Sequence, residues 1–545
     1  MKINNHHKNY IFIFLITIIF AVLFNNILSG MFFDNNEFCY PLDDSFIHLA
    51  ISKNIAENGV FGITQHEFVS SSSSPVYTLI LAFLIKIFGN NVYLPLVINL
   101  LIALIIITLC LFYLEKFKID PIEIFFSLLI IIICTPLAAI ATLGMEHTLH
   151  ILISLMIYFN FFKFIENGNK SGLISLSIIA AIAVVIRYES LASVGFIFLY
   201  LNYKKQYKKS MIFLMIAISL FFLFGLFSMI SGGYLLPNSI LVKGSKPIFL
   251  YLEKPIEFLT GKTTPILTCI FYLNMIALIF LKFFINKNNS PYILIGIYVL
   301  FITLGHIIAG DAGYLYRYEA YLMFINLFNF CLFFFKFIVP YIKSKYKFSY
   351  FNNQFNTRVK SIIYIALFLI ISVFAFNSFF VKNIYEQVFL NRYYINLASR
   401  SIYIQQYQTA KFLQRFYNNS TVVANDIGAI CYFTDIKLFD LVGLGSNEKL
   451  KYKFARKEYD MNAIKNITEN KADIAIIYDS WFEGKIPSEW IKICDWISPI
   501  SFGVGDTIVS FYAINHKEKS NLIKNLNEFE TYKLNRNIRV NKYFE

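Results

Sequence analysis

Asp43 and Asp44 stand side by side, after Cys39-Tyr40-Pro41-Leu42 and ahead of a helix-like run from Ser45 to Asn58 that Gly59 stops. One helix cap needs only one aspartate. The second carboxylate is then available as a general base, the group that accepts the proton of an attacking hydroxyl when a glycosidic bond is broken. Carboxylate and arginine occur together twice more at the ends of apolar runs: Arg187-Tyr188-Glu189, and Arg317-Tyr318-Glu319 shortly after Asp311. Ionisable groups at such ends often only reach for the interface, but two such groups on one side point to a shared polar cavity. A phosphorylated donor needs cations that hold its phosphate and stabilise it as it leaves. Arg317, Arg187 and Lys243 are the candidates, although both arginines can equally pair with Glu189 and Glu319.

Other polar groups carry weaker signals. Ser70 to Ser74 precede Pro75. By composition they read as a flexible linker; the functional alternative is a hydroxyl rim at a helix N-terminus that suits sugar or phosphate oxygens. Glu146, His147 and His150 lie close together and, with Asp43, offer a divalent metal a mixed set of ligands, which is not a specific signal. No cofactor is assigned beyond that possible metal. Glu146, His147, Tyr188, Glu189, Ser74, Asp311 and Glu319 make up the set assigned to sugar or acceptor binding.

The elements that must position these residues are membrane helices. Of 545 residues 57% are hydrophobic and only 15% charged, against about 25% charged in soluble domains. Apolar blocks suited to a bilayer roughly 30 Å thick lie at 10–28, 92–114, 122–141, 147–165, 171–186, 190–203, 211–230, 264–285, 291–309, 318–338 and 359–380, which predicts about eleven spans. Residues 75–88 give only about 21 Å of helix and read as a helix at the membrane surface. With that segment not crossing and the N-terminus cytoplasmic, the lysine-rich loops, including Lys204, Lys205, Lys208 and Lys209, all face the cytoplasm, as the positive-inside rule demands. The net charge of +14 then belongs to those loops, and nucleic acid is not a partner. The chemistry-bearing segments share the outer side of a bacterial inner membrane.

From about residue 385 the composition turns globular. Strand-like runs at 422–425, 438–441, 474–478 and 507–514, with helical patterns near 399–416 and 459–469, predict an external α/β domain at 385–545 beside a membrane domain at 1–384. Its glycines form no phosphate-binding pattern, so the domain reads as a structural lid or acceptor-docking unit. Cys431 and Cys494 are its two cysteines and offer a disulfide if the domain is exported.

Taken together, Asp43-Asp44-Ser45-Phe46-Ile47, Glu57-Asn58-Gly59 and Ser73-Ser74-Pro75-Val76-Tyr77 resemble the first external loop of GT-C superfamily glycosyltransferases. Gly144-Met145-Glu146-His147, Arg187-Tyr188-Glu189, Arg317-Tyr318-Glu319 and Asp426-Ile427-Gly428-Ala429 to Asp440-Leu441-Val442-Gly443 resemble later motifs of the same superfamily. The likeness is to the branch with bacterial arabinofuranosyltransferases and mannosyltransferases. It implies a polyprenyl-phosphate-sugar donor, transfer of a hexose or pentose to a glycan, lipid or protein acceptor, juxtamembrane helices in the first external loop, and a base at Asp43 with Asp44 as helper or cap. The competing readings are a transporter or lipid flippase, for which mid-span charges are few and no repeat is evident, and a non-catalytic anchor, which would need one span.

Overall fold

A computed structural model describes residues 5–243, 250–284, 290–348, 391–532 and 534–544. Among them seven helices are long and apolar enough to cross a bilayer. They are α1 (Asn5–Leu28), α4 (Leu94–Lys116), α7 (His147–Asn167), α10 (Tyr207–Ile230), α13 (Pro265–Phe284), α14 (Ser290–Ala309) and α15 (Ala320–Phe333), the last continuing through a π turn at Phe334–Ile338 into α16 (Val339–Phe348).

The remaining expected spans are shorter or broken. The block 122–141 divides at Thr135-Pro136 into α5 (Pro121–Cys134) and α6 (Leu137–Thr142), because proline lacks an N–H and its ring collides with the preceding turn. Blocks 171–186 and 190–203 form α8 (Lys170–Ile186) and α9 (Leu191–Tyr203), joined by a single turn at Tyr188–Ser190. Block 359–380 lies outside the described residues.

Two helices of the first loop frame the site. α2 (Asp43–Asn58) ends at Gly59, whose φ of 70° closes the last turn through bonds to the carbonyls of Asn54 and Ile55, a conformation glycine adopts without steric cost. α3 (Pro75–Phe88) starts with proline in its first turn, where no N–H is missed. Leu79, Phe83 and Ile87 are exposed on α3 at helical spacing, a greasy stripe turned away from the protein, while the opposite face packs on α2. The serines before α3 are not a flexible linker: Ser70, Ser71, Ser72 and Ser74 are buried. A later loop supplies α11 (Asn238–Lys243) and α12 (Leu250–Leu259).

From residue 391 the chain builds a six-stranded mixed sheet. Its strands are β1 (Thr421–Ala424), β2 (Lys437–Asp440), β3 (Ile474–Ile477), β4 (Ile491–Ile497), β5 (Ile508–Ala513) and β6 (Arg539–Lys542), in the order β2-β1-β3-β5-β4-β6. β2, β1 and β3 run parallel, and β5, β4 and β6 pair antiparallel. Two strands were not expected from sequence. β4 holds Lys492 and Asp495, which hide its pattern; they pair with each other at 2.9 Å. β6 is a polar edge. Cys431 and Cys494 are both buried free thiols and form no disulfide.

The sheet domain sits directly on the first loop. The short helix Gly428–Phe433 packs along α2. Lys53 on α2 meets Asp435 at 3.1 Å, and the Tyr432 hydroxyl donates to Asn90 at 2.9 Å. Asn238, at the start of α11, donates to Asn447 at 3.0 Å, while its own amide donates to the Ser70 carbonyl at 3.0 Å.

Candidate active site

α2 begins with its two aspartates one residue apart, and the helical turn sends them in different directions. Asp43 points into the sheet domain. Its oxygens accept from the amides of Gly428 at 2.6 Å and Ala429 at 2.8 Å, the positive end of the helix that follows. Asp44 points toward the membrane helices and accepts from Arg317 Nη1 at 2.8 Å. The spacing left open which aspartate caps, and the resemblance gave the base to Asp43 with Asp44 as helper or cap; in the structure Asp43 caps a partner helix and Asp44 borders the open space.

That space is a cavity of about 660 Å³. One half of its lining is charged and polar, with Asp44, Arg187, Glu189, Lys254, Asp311 and Arg317. Tyr188 and Ser73 also line it. The rest is largely apolar, formed by Leu191, Ala192 and Gly195 of α9 with Phe301, Gly305 and Ala309 of α14, among which His306 is the polar exception. A pocket of that size, lined by both charged and apolar residues, suits a ligand of mixed character.

Two arginines are held rigidly at its edge. Arg187, after α8, donates through Nη1 to Glu146 at 2.9 Å and through Nε to Glu189 at 3.1 Å, with Nη2 also on Glu189. Arg317 donates through Nη2 to the Tyr318 hydroxyl at 2.7 Å. The Tyr318 ring has the Arg317 guanidinium carbon 4.7 Å and that of Arg187 5.4 Å from its centre, so it bridges two like charges. The approach to Arg317 is a left-handed turn: Gly313, Tyr314, Leu315 and Tyr316 have φ of 90°, 46°, 62° and 57°. Such a run costs roughly 1–2 kcal/mol per non-glycine residue. It seats the Tyr314 ring 5.2 Å from the Arg317 guanidinium, and backbone strain of this kind collects at functional sites.

Behind the arginines lies a buried frame. Glu146 is fully buried just before α7. Besides Arg187 it meets His48 Nε2 at 3.0 Å and accepts from Ser73 Oγ at 3.0 Å. Gly144, with φ of 73°, lets the chain pass under Tyr40, whose ring would lie 2.5 Å from an added Cβ. Glu319 does not pair with Arg317; its oxygens accept from the Gly313 amide at 3.1 Å and hold the left-handed turn. Burial pushes its carboxyl up to about 7. Burial, with the charge of Asp426 added, also holds the Asp43 carboxyl well above the usual carboxylate range.

The other expected residues fall on both sides of this frame. Asp311, Tyr188 and Glu189 line the cavity, whereas Ser74 is buried with a hydroxyl that has no partner among the described residues. His147 is buried edge-on to the Tyr318 ring, 6.0 Å away. Lys243 ends α11, and its side chain lies outside the described residues. The metal reading of Glu146, His147 and His150 with Asp43 is not supported by their positions: Glu146 is engaged by Arg187, His48 and Ser73, His150 Nε2 meets Ser190 at 3.2 Å, and Asp43 is turned away. Among the described residues no group of three or more His, Cys, Asp or Glu is arranged for a metal ion.

Two site residues escaped sequence reasoning. His48 sits four residues after Asp44, hence on the same helix face, and that spacing was the available signal. Lys254 on α12 donates to the Gly310 carbonyl at 2.6 Å; nothing local marks it beyond its place in the loop 231–262.

Comparison with known proteins places this geometry in a fold. Residues 396–512 match a family described as "Domain of unknown function (DUF8728)". No curated protein matches the chain. A solved structure, ArnT from Cupriavidus metallidurans bound to undecaprenyl phosphate, is similar over 92% of this chain and 98% of its own, with a TM-score of 0.55 at 11% identity. The chain is a polytopic membrane protein with a GT-C fold like that of ArnT, carrying a small C-terminal sheet domain.

Proposed function

We propose that the protein is a membrane glycosyltransferase that moves a hexose or pentose from a polyprenyl-phosphate donor to an acceptor hydroxyl on the external side of a bacterial cytoplasmic membrane. The supporting observation is the mixed lining of one cavity, which takes in the Asp44–Arg317 pair at 2.8 Å together with apolar residues of α9 and α14. A similarly folded protein has been solved with undecaprenyl phosphate.

In this reading the lipid tail lies along Leu191, Ala192, Gly195 and Phe301, and the phosphate meets Arg317, with Arg187, Lys254 and Lys243 adding positive charge. Glu189, Tyr188 and Asp311 take sugar hydroxyls, while Glu146, His147, Ser74 and Glu319 shape the cavity behind them. Asp44 is the base in place of Asp43. In the empty site its carboxylate is held in an ion pair with Arg317. The donor phosphate competes for the same guanidinium, so donor binding loosens the Asp44–Arg317 pair as the acceptor arrives. The acceptor hydroxyl then gives its proton to Asp44, its oxygen bonds the anomeric carbon, and the bond from that carbon to the phosphate oxygen breaks. The electron pair leaves with polyprenyl phosphate, steadied by the arginine.

Residues 1–384 form the catalytic membrane domain in this account, and 385–545 form an external domain that seats α2 and receives a glycan, lipid or protein acceptor. Lysines at the opposite helix ends, Lys116, Lys163 and Lys204 among them, agree with that orientation. The test is incubation of the purified chain with synthetic polyprenyl-phosphate pentoses and hexoses, together with a comparison of glycolipids and glycoproteins in cells with and without the protein. Release of polyprenyl phosphate and a lost glycoconjugate are expected; folded protein that releases none from any donor, in cells with unchanged glycoconjugates, contradicts the reading.

A further inference from the structure

A second cavity, of about 260 Å³, lies between the ends of α4 and α7, the π turn and the far end of α14, whose other end lines the first. On α7 the distance from His147, beside Tyr318, to Lys163, on the second cavity, is roughly 24 Å of helix. Four lysines line it, Lys116, Lys118, Lys163 and Lys336, against one acid, Glu166. Lysines at this end of membrane helices ordinarily just set orientation. Here they surround a space with aromatic walls, which orientation does not require.

The strongest feature is Lys336. It lies within the π turn Phe334–Ile338, a rare distortion that re-aims side chains and recurs at functional sites. Its ammonium donates to the Phe117 carbonyl at 2.7 Å and lies 5.5 Å from the centre of the Tyr292 ring. An ammonium carries three donors, so one bond to Phe117 aims the group and leaves donors for an anion. Lys118 reaches the same space from a left-handed backbone with φ of 59°, a conformation that costs a residue with a Cβ roughly 1–2 kcal/mol. At roughly 30 Å³ per water, the cavity holds a phosphate together with a small organic group.

We propose that this cavity is a second binding site, for a phosphate ester: the phosphate sits among Lys336, Lys116, Lys118 and Lys163, and the ester's organic part rests against Phe117 and Tyr292. The site is separate from the donor cavity and does not depend on the transferase reading. Two sources offer that chemistry, the headgroup of an anionic phospholipid in the adjoining leaflet and a soluble phosphate ester.

The test uses the full chain in neutral detergent. One arm follows retention of phosphatidylglycerol against phosphatidylcholine by native mass spectrometry; the other titrates glycerol 3-phosphate calorimetrically. Saturable binding is expected in one arm, weakened about tenfold or more by Lys336→Gln and by the surface pair Lys116→Gln/Lys163→Gln, and retained in Arg317→Gln. Binding of phosphatidylglycerol alone identifies a lipid headgroup, and binding of glycerol 3-phosphate identifies a soluble ester. Three results overturn the proposal: no binding in either arm, unchanged binding in the surface pair, or loss in Arg317→Gln alone, which would assign the anion to the first cavity.

Discussion

The two faces of α2 meet very different surroundings. Toward the membrane helices, Asp44 borders an open cavity lined by paired charges together with apolar residues. Toward the sheet domain, Asp43 is clamped by two backbone amides in a packed seat, where even a methyl group at Gly428 would fall 2.1 Å from the Asp43 carbonyl oxygen. Adjacent residues of the same type are therefore not interchangeable. An open cavity and a side-chain counter-ion suit one for chemistry; close packing and backbone donors suit the other for anchoring.

Substitutions can break or sharpen that contrast. The largest effect is expected at Asp44. Asp44→Asn keeps the shape and removes the base, so donor turnover should fall about 10²–10⁴-fold, the usual contribution of a positioned base. Next comes Arg317→Lys, which keeps the charge but loses the planar fork. We expect turnover to fall about 10–100-fold, with the donor KM raised as well, in steady-state assays.

On the anchoring face the readout is structural. Gly428→Ala forces its new methyl against Asp43, and strain of this kind costs about 1–3 kcal/mol. Hydrogen exchange in residues 428–433 should accelerate while the helices near Arg187 keep their protection. Asp43→Asn is expected to be mildest. It keeps one acceptor for the amides and should weaken the seat by about 1–2 kcal/mol, with turnover reduced less than about tenfold. If Asp43→Asn proved as inactive as Asp44→Asn, the division between the two faces would fail.

Sequence made the helical framework legible because apolar length and proline and glycine stops are local signals. Ser74-Pro75 and Gly89 delimit α3 at 75–88. The break at Pro136 was equally local but was read through, since the apolar run continues past it. β4 and β6 were hidden because their polar residues find partners only in the assembled sheet, Lys492 with Asp479 and Asp495. The site was half legible. Paired acids ahead of a helix-like run marked Asp44, and acids and arginines at span ends marked Arg187 and Arg317. Which aspartate faces the cavity depends on Gly428 and Ala429, more than 380 residues away in the chain, and no spacing rule reaches that far. The linker reading of the serine run fails for the same reason: Ser70, Ser71, Ser72 and Ser74 are buried by residues distant in the chain, while composition speaks only of flexibility.

The most direct measurement follows donor binding and polyprenyl phosphate release on the same samples of wild-type, Asp44→Asn and Asp43→Asn protein, using a labelled polyprenyl-phosphate sugar. The account predicts that all three bind donor, that Asp44→Asn binds it at least as tightly because Arg317 is already released, and that only Asp44→Asn fails to release product. Full release by Asp44→Asn, with Asp43→Asn silent, would contradict it.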